Sequence, residues 1–164
     1  MTPIRLFSLL GSLVLCAAPS LAFADAIRLS TQFTGPQQRL EVVNGGPFQN
    51  LAIMTDVNEE SSGQLWTVTS EGDWLRIRNE AMGRDMCLDV VNGGHPKYMA
   101  QMRLCGNFSG QFWQISGAGE AMRFTTQFLG NRYCLDIANG GMLDRYAQMT
   151  PCGNYSGQLW TLVN

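Results

Sequence analysis

Apolar and polar residues alternate along this chain in short runs. Trp66-Thr67-Val68-Thr69 and Trp74-Leu75-Arg76-Ile77-Arg78 have the two-residue period of half-buried strands, and turn residues close each run within a few positions. Asn-Gly-Gly recurs at 44–46, 92–94 and 139–141. Asn-Gly and Gly-Gly steps favour turns because they accept positive φ. No stretch of helical length carries a helical apolar period. The pattern predicts an all-β domain of many short strands.

The same pattern occurs three times. Gln64-Leu65-Trp66, Gln111-Phe112-Trp113 and Gln158-Leu159-Trp160 stand 47 residues apart, each preceded by Ser-Gly. Upstream, Leu40-Glu41-Val42 matches Leu88-Asp89-Val90 and Leu135-Asp136-Ile137, each leading into Asn-Gly-Gly. The first copy is one residue longer between that turn and its Gln-x-Trp. Copies two and three also share Ala-Gln-Met, at Ala100 to Met102 and Ala147 to Met149, followed by Cys-Gly-Asn-aromatic-Ser-Gly-Gln. Three lobes of about four strands each are expected, over roughly 27–70, 74–117 and 121–164. None buries its apolar face alone, so the three close together. An indole repeated before a strand-like run predicts that Trp66, Trp113 and Trp160 form a core layer rather than ligand platforms. Gln64, Gln111 and Gln158 are expected to satisfy nearby backbone or a carboxylate. Trp74, outside the repeat, is expected to pack where the first two lobes join.

The N-terminus reads as a secretory signal over residues 1–24. Arg5 supplies the positive start, Leu6 to Leu15 the apolar stretch and Ala22-Phe23-Ala24 the small-x-small cleavage pattern. A lipoprotein reading of Cys16 is disfavoured by Leu15, since lipid attachment wants a small residue there. The predicted mature chain, 25–164, has room for one domain. Its four cysteines, an even number in an exported protein, predict disulfides. The shared spacing of 18 pairs Cys87 with Cys105 and Cys134 with Cys152. The formal charge of −2 becomes −3 without Arg5, and no basic run is present to neutralise a row of phosphates, which argues against nucleic acid. Nothing after the signal approaches the roughly 18 apolar residues of a membrane helix.

Three Gln-x-Trp elements with Cys-Leu-Asp upstream of two of them resemble the ricin-type β-trefoil lectin family, across essentially the whole mature chain. The resemblance implies a β-trefoil: twelve strands in a six-stranded barrel capped by three hairpins, with shallow sugar sites on the lobes. Asp89 and Asp136 match the family's sugar-binding Asp, and an ionised carboxylate offers acceptors for adjacent hydroxyls. The other reading of each is a cap for the Asn-Gly-Gly turn. Gln101 and Gln148, four residues before a cysteine, match the family's second polar contact. The candidate carbohydrate-binding set is Asp89, Gln101 and Gln111 in lobe two, and Asp136, Gln148 and Gln158 in lobe three.

The chain also departs from the family. Arg103 and Thr150 stand where the best sugar-binding lobes place a stacking ring, and Gly63, Gly110 and Gly157 where many members have a sugar-contacting Asn. These departures predict weak binding or a different ligand, with Tyr98, Tyr146, Phe108 and Tyr155 as substitute rings. Lobe one has Glu41 for the Asp, no cysteine pair and no equivalent glutamine. Catalysis finds little support: His95 is the only histidine and reads as a turn residue, and Asp89 and Asp136 belong to separate lobes. No cofactor is expected. The sequence therefore predicts a secreted or periplasmic, monomeric, non-enzymatic glycan-binding protein. The alternative is a protein-binding trefoil, such as a toxin delivery subunit or inhibitor with vestigial sugar sites.

Overall fold

A computed structural model describes residues 23–93 and 97–163. The proposed signal lies outside these residues, apart from the backbone of Phe23 and Ala24 at the start of the first strand; Cys16 and His95 lie outside them as well. The twelve strands are β1 (Phe23–Thr31), β2 (Gln38–Val42), β3 (Ala52–Asp56), β4 (Trp66–Glu71), β5 (Trp74–Asn79), β6 (Met86–Val90), β7 (Ala100–Leu104), β8 (Trp113–Ser116), β9 (Arg123–Thr126), β10 (Tyr133–Ile137), β11 (Ala147–Pro151) and β12 (Trp160–Val163). Both alternating runs singled out in the sequence are strands, β4 and β5.

Six strands pair in the order β12-β1-β4-β5-β8-β9. Reciprocal backbone hydrogen bonds between Met122 and Trp160 join the two ends into a closed barrel. The other six form three antiparallel hairpins, β2–β3, β6–β7 and β10–β11. Closure removes the exposed edges that an open sheet would present. In each lobe the conserved-register pair across the barrel has the same form: Ile27 opposes Trp66, Leu75 opposes Trp113 and Met122 opposes Trp160. The chain is a β-trefoil.

The repeated tryptophans are the centre of the core. All three side chains are fully buried in one apolar cluster with Leu40, Leu88 and Leu135. Each indole N–H donates to a backbone carbonyl, that of Leu40 at 2.8 Å, Leu88 at 2.9 Å and Leu135 at 2.9 Å. A buried indole must satisfy its N–H. Here each does so on the hairpin strand of its own lobe, tying barrel to cap.

The caps are linked to one another in a ring. Asn50, Tyr98 and Arg145 occupy one repeat position, and all three have positive φ (71°, 63° and 67°), which costs a residue with a Cβ about 1–2 kcal/mol. The geometry turns each carbonyl toward a neighbouring lobe. Asn50 accepts the backbone N–H of Met102, Tyr98 that of Met149, and Arg145 that of Met54, at 2.7 to 2.9 Å. Three buried donors are satisfied this way, and the three hairpins are held in fixed relation. The Asn-Gly-Gly turns before them require glycine at their second position, where Gly45, Gly93 and Gly140 have φ of 97°, 90° and 91°.

Both disulfides form as the spacing predicts, Cys87–Cys105 and Cys134–Cys152, bridging β6 and β10 to the ends of β7 and β11. Trp74 stands where β4 of lobe one meets β5 of lobe two, the junction expected of it. It opens β5 opposite Glu71 and stays half-buried, lining a groove of about 610 Å³ that reaches Cys134 and Cys152 of lobe three. Its neighbours include the third lobe because the barrel brings β8 and β9 past the β4–β5 turn.

Candidate functional site

Each lobe carries a carboxylate on the first strand of its cap, held from behind by the glutamine of Gln-x-Trp. Gln64, Gln111 and Gln158 are fully buried in short 3-10 turns. Their side-chain nitrogens donate to Glu41 at 3.3 Å, Asp89 at 3.1 Å and Asp136 at 3.2 Å. Their Oε1 atoms accept the backbone N–H of Asn58, Gly106 and Gly153. Gln111 and Gln158, included among the candidate sugar contacts, are thus occupied on both sides of the amide and sit behind the carboxylates. Their place is to position Asp89 and Asp136.

The sequence reading missed a third member of this arrangement. Arg28, Arg76 and Arg123 recur at intervals of 48 and 47. Arg76 Nη1 donates to Gln111 Oε1 at 2.9 Å and Arg123 Nη1 to Gln158 Oε1 at 3.1 Å. The three guanidiniums also donate to the carbonyls of Glu59, Gly106 and Gly153. A charge on Oε1 polarises the amide and strengthens the bond its nitrogen makes to the carboxylate. The recurrence was the available signal; its meaning depends on barrel closure.

The carboxylates differ in their remaining partners. Asp89 is 4% exposed, with Oδ1 accepting the N–H of Val90 at 2.8 Å. Asp136 is half-buried; Oδ1 accepts the N–H of Ile137 at 2.8 Å and Oδ2 accepts the Thr150 hydroxyl at 2.7 Å. These bonds tie both groups to the strand end and to the buried amide. Burial pushes the Asp89 carboxyl above its ordinary value of 3.8, against the pull of bonds from Gln111 and Val90 and of the Arg103 and Arg76 charges. In lobe one, burial opposes ionisation of Glu41, but bonds from Thr55, Ser61 and Gln64 outweigh it and hold the carboxyl below its ordinary value of 4.5. The hydroxyl of Ser61 reaches Glu41 Oε1 at 2.7 Å, so this longer side chain folds back into its own lobe.

The glycines before each glutamine have a structural cause. A Cβ on Gly110 would overlap Asp89 Oδ1, and one on Gly157 would overlap Asp136 Oδ1. The carboxylates lean into the space a side chain would fill, which leaves no room for an Asn.

Open pockets stand over Asp89 and Asp136, of about 360 and 380 Å³. Asn92, Asn107, Phe108 and Phe128 line the first with Asp89; Asn139, Asn154, Tyr155 and Phe33 line the second with Asp136. Phe108 and Tyr155 are 59% and 61% exposed, their rings lying against Gly106 and Gly153 where a Cβ would collide with them. The second ring of each pocket comes from the following lobe. Phe128 N–H bonds to the Ser109 carbonyl and Phe33 N–H to that of Ser156. In lobe one the same bond runs from Ala81 to Ser62, so neither ring has a counterpart there: Ser61 and Ala81 take their places. Gln148 lines the lobe-three pocket; Gln101 opposes Asp89 in the β6–β7 register, but Arg103, not Gln101, lines the lobe-two pocket. Of the four substitute rings, Phe108 and Tyr155 face pockets, while Tyr98 packs on Phe128 and Tyr133, and Tyr146 on Phe48. Among the described residues no cluster of three or more His, Cys, Asp or Glu side chains has the arrangement to hold a metal, and no helix is long and apolar enough to cross a membrane.

Several solved structures share the fold at low identity. A GlcNAcα1-4Gal-releasing endo-β-galactosidase from Clostridium perfringens superposes with a TM-score of 0.67 at 11% identity, over 85% of this chain and 32% of that one. A mosquitocidal holotoxin gives 0.71 at 12% identity, over 86% of this chain and 17% of that one. The chain therefore spans a third or less of these two larger proteins. The ricin B-like lectin of Macrolepiota procera, solved with lactose, gives 0.66 at 16% identity over 89% of this chain and 99% of that one. No curated protein matches the chain in sequence. The profile of the ricin-type beta-trefoil lectin domain matches residues 73–164, which hold lobes two and three with Asp89 and Asp136, and the chain belongs to that family.

Proposed function

We infer that the protein binds carbohydrate through two pockets, one in lobe two and one in lobe three, and carries out no chemistry of its own. The observation that carries this reading is the pairing of an anchored carboxylate with two rings in lobes two and three and not in lobe one. A carboxylate accepts hydrogen bonds from vicinal hydroxyls, the neighbouring Asn side chains both donate and accept, and an aromatic face takes the apolar C–H face of a pyranose. Gln111 and Gln158 act through Asp89 and Asp136, and Gln148 contacts sugar directly in lobe three. Two pockets on a rigid body raise avidity for dense or repeated glycans through effective concentration. The two disulfides suit an oxidising compartment, so the protein is exported, to the periplasm or beyond, under the signal read at residues 1–24.

A glycan array probed with the folded chain, followed by calorimetric titration with each bound sugar and with lactose, tests the reading. A coherent set of sugars is bound by the wild type and lost by the Asp89→Ala/Asp136→Ala double variant, with near-UV circular dichroism reporting a folded protein. A blank array contradicts it.

One observation favours a second reading. Arg103 and Thr150 replace the family's stacking ring, and Phe108 and Tyr155 leave apolar surface exposed at the pockets. Under that reading the trefoil docks a protein, as a targeting part of a larger assembly, and a blank array combined with specific capture of one purified partner supports it.

A further inference from the structure

The lobe-three pocket continues past Phe33 and Asn139 into a second pocket of about 400 Å³, and those two residues line both. Its far side is polar: Gln38, Asp56, Asp144 and Arg145. Gln38 Nε2 donates to Asp56 Oδ1 at 3.1 Å, and Arg145 pairs loosely with Asp144 at 3.8 Å. All of these groups except the half-buried Gln38 are exposed.

The pseudo-threefold repeat supplies an internal comparison, because every residue here has a counterpart beside the lobe-two pocket. Arg145 corresponds to Tyr98, Gln38 to Tyr133 and Asp144 to Lys97, while Phe33 corresponds to Phe128. In lobe two these counterparts fill the space. The Tyr98 ring lies 6.2 Å from Phe128 and 5.9 Å from Tyr133, centroid to centroid, and Lys97 Nζ sits 4.5 Å from its ring centre. One scaffold position is plugged with rings in lobe two and left as an open, hydrogen-bonding pocket in lobe three.

We propose that the lobe-three site is an extended one that reads at least two sugar residues of a glycan, the first over Asp136 and the second in the pocket formed by Gln38, Asp56, Asp144 and Arg145, whereas lobe two reads a single residue. The proposal rests on the carbohydrate reading of lobe three. A partnered amide, exposed carboxylates whose oxygens can accept more than one hydrogen bond each, and an exposed guanidinium offer both donors and acceptors to neutral hydroxyls. Both pockets fall within the roughly 300–1,000 Å³ of sites that hold small ligands, and the shared wall of Phe33 and Asn139 places them side by side as consecutive rings require.

Amide-detected NMR on the folded chain tests this with a panel of methyl glycosides of glucose, galactose, mannose and N-acetylglucosamine, each with its di- and trisaccharides. A monosaccharide that shifts Ile137 and Gly157 leaves Asp56 and Arg145 unmoved, and its longer homologue shifts all four and binds at least tenfold more tightly. The Gln38→Tyr/Arg145→Tyr variant copies lobe two, where Tyr98 already holds the same positive φ. It removes the gain for the longer homologue and leaves monosaccharide affinity unchanged. Asp56→Ala, on an exposed side chain, lowers that gain without touching the first pocket. Longer glycans that bind over Asp136 with no shift at Asp56 and no sensitivity to these variants overturn the second subsite while the lobe-three sugar site stands. If no member of the panel shifts Ile137 or Gly157, the carbohydrate reading of lobe three fails, and this proposal with it.

Discussion

The side-chain nitrogen of Gln111 lies 3.1 Å from Asp89 Oδ2, and neither group is appreciably exposed. The same amide accepts Arg76 and the Gly106 N–H on its oxygen, and its nitrogen also reaches the Leu104 carbonyl at 3.0 Å. A residue repeated for the fold thereby sets the orientation of a residue available for binding. Replacing Gln111 with Ala strands several buried polar groups together, each costing about 1–3 kcal/mol. Urea denaturation should show Gln111→Ala destabilised by roughly 3 kcal/mol. A loss near zero would mean that the network does not hold Asp89.

The tryptophans were readable from their 47-residue spacing alone, because a ring that recurs in register in every copy is the simplest filling for a common core. Their hydrogen bonds were not. Trp113→Ala should cost roughly 3–5 kcal/mol through lost burial. Trp113→Phe, which keeps a ring but strands the Leu88 carbonyl, should cost about 1–3 kcal/mol. Thermal melts of the two variants rank them, and a Phe variant as stable as wild type would deny the indole bond its part.

Gly110 and Gly157 test the pocket floors. An added Cβ meets the carboxylate oxygen, so Gly110→Ala turns Asp89 aside and Gly157→Ala does the same to Asp136. Each variant should lose sugar binding at its own lobe while the other lobe is unaffected, seen as half the binding stoichiometry in calorimetry. Unchanged stoichiometry in both would separate these carboxylates from the binding site.

Two carboxylates should act oppositely on stability as pH changes. Folding raises the Asp89 pKa, so its contribution is complete below 3.8 and is lost as pH rises through the folded value. Folding lowers the Glu41 pKa, so its contribution is present above 4.5 and is lost as pH falls through the folded value. Apart from a constant offset, Asp89→Asn should remove part of the decline above pH 3.8, and Glu41→Gln part of the decline below pH 4.5. Urea midpoints from pH 3 to 6 check both, and slopes identical to wild type would contradict the assignment.

Each disulfide closes an 18-residue separation across a cap hairpin. The chain-entropy estimate gives roughly 3 kcal/mol for a loop of this size. Cys134→Ala/Cys152→Ala should lower stability by about that amount and loosen Gly153, whose N–H and carbonyl hold Gln158 and Arg123. Weaker glycan binding at lobe three, measured against an unaffected lobe two, is the accompanying readout.

Much of the architecture was legible because it is periodic. Strands, turns, cysteine pairs and the indole layer follow from residues recurring at one interval. The pocket walls were legible only in part: Phe108 and Tyr155 stand out beside the repeated Ser-Gly-Gln, but Phe33 and Phe128 belong by sequence to the lobe after the one they serve. Nor does sequence tell that Gln101 misses the lobe-two pocket while Gln148 lines its own, although both oppose their Asp in register. Asp89 and Asp136 look alike in sequence; Thr150 against Arg103, across the hairpin, gives one a hydroxyl partner and the other a cation nearby.

Counting bound sugars per chain tests the central claim most directly. With a monosaccharide taken from the glycan array, calorimetry should give two sites for the wild type, one for Asp89→Ala or Asp136→Ala, and none for the double variant with its fold intact. Undiminished binding in the folded double variant, or a third site in lobe one, would contradict the account.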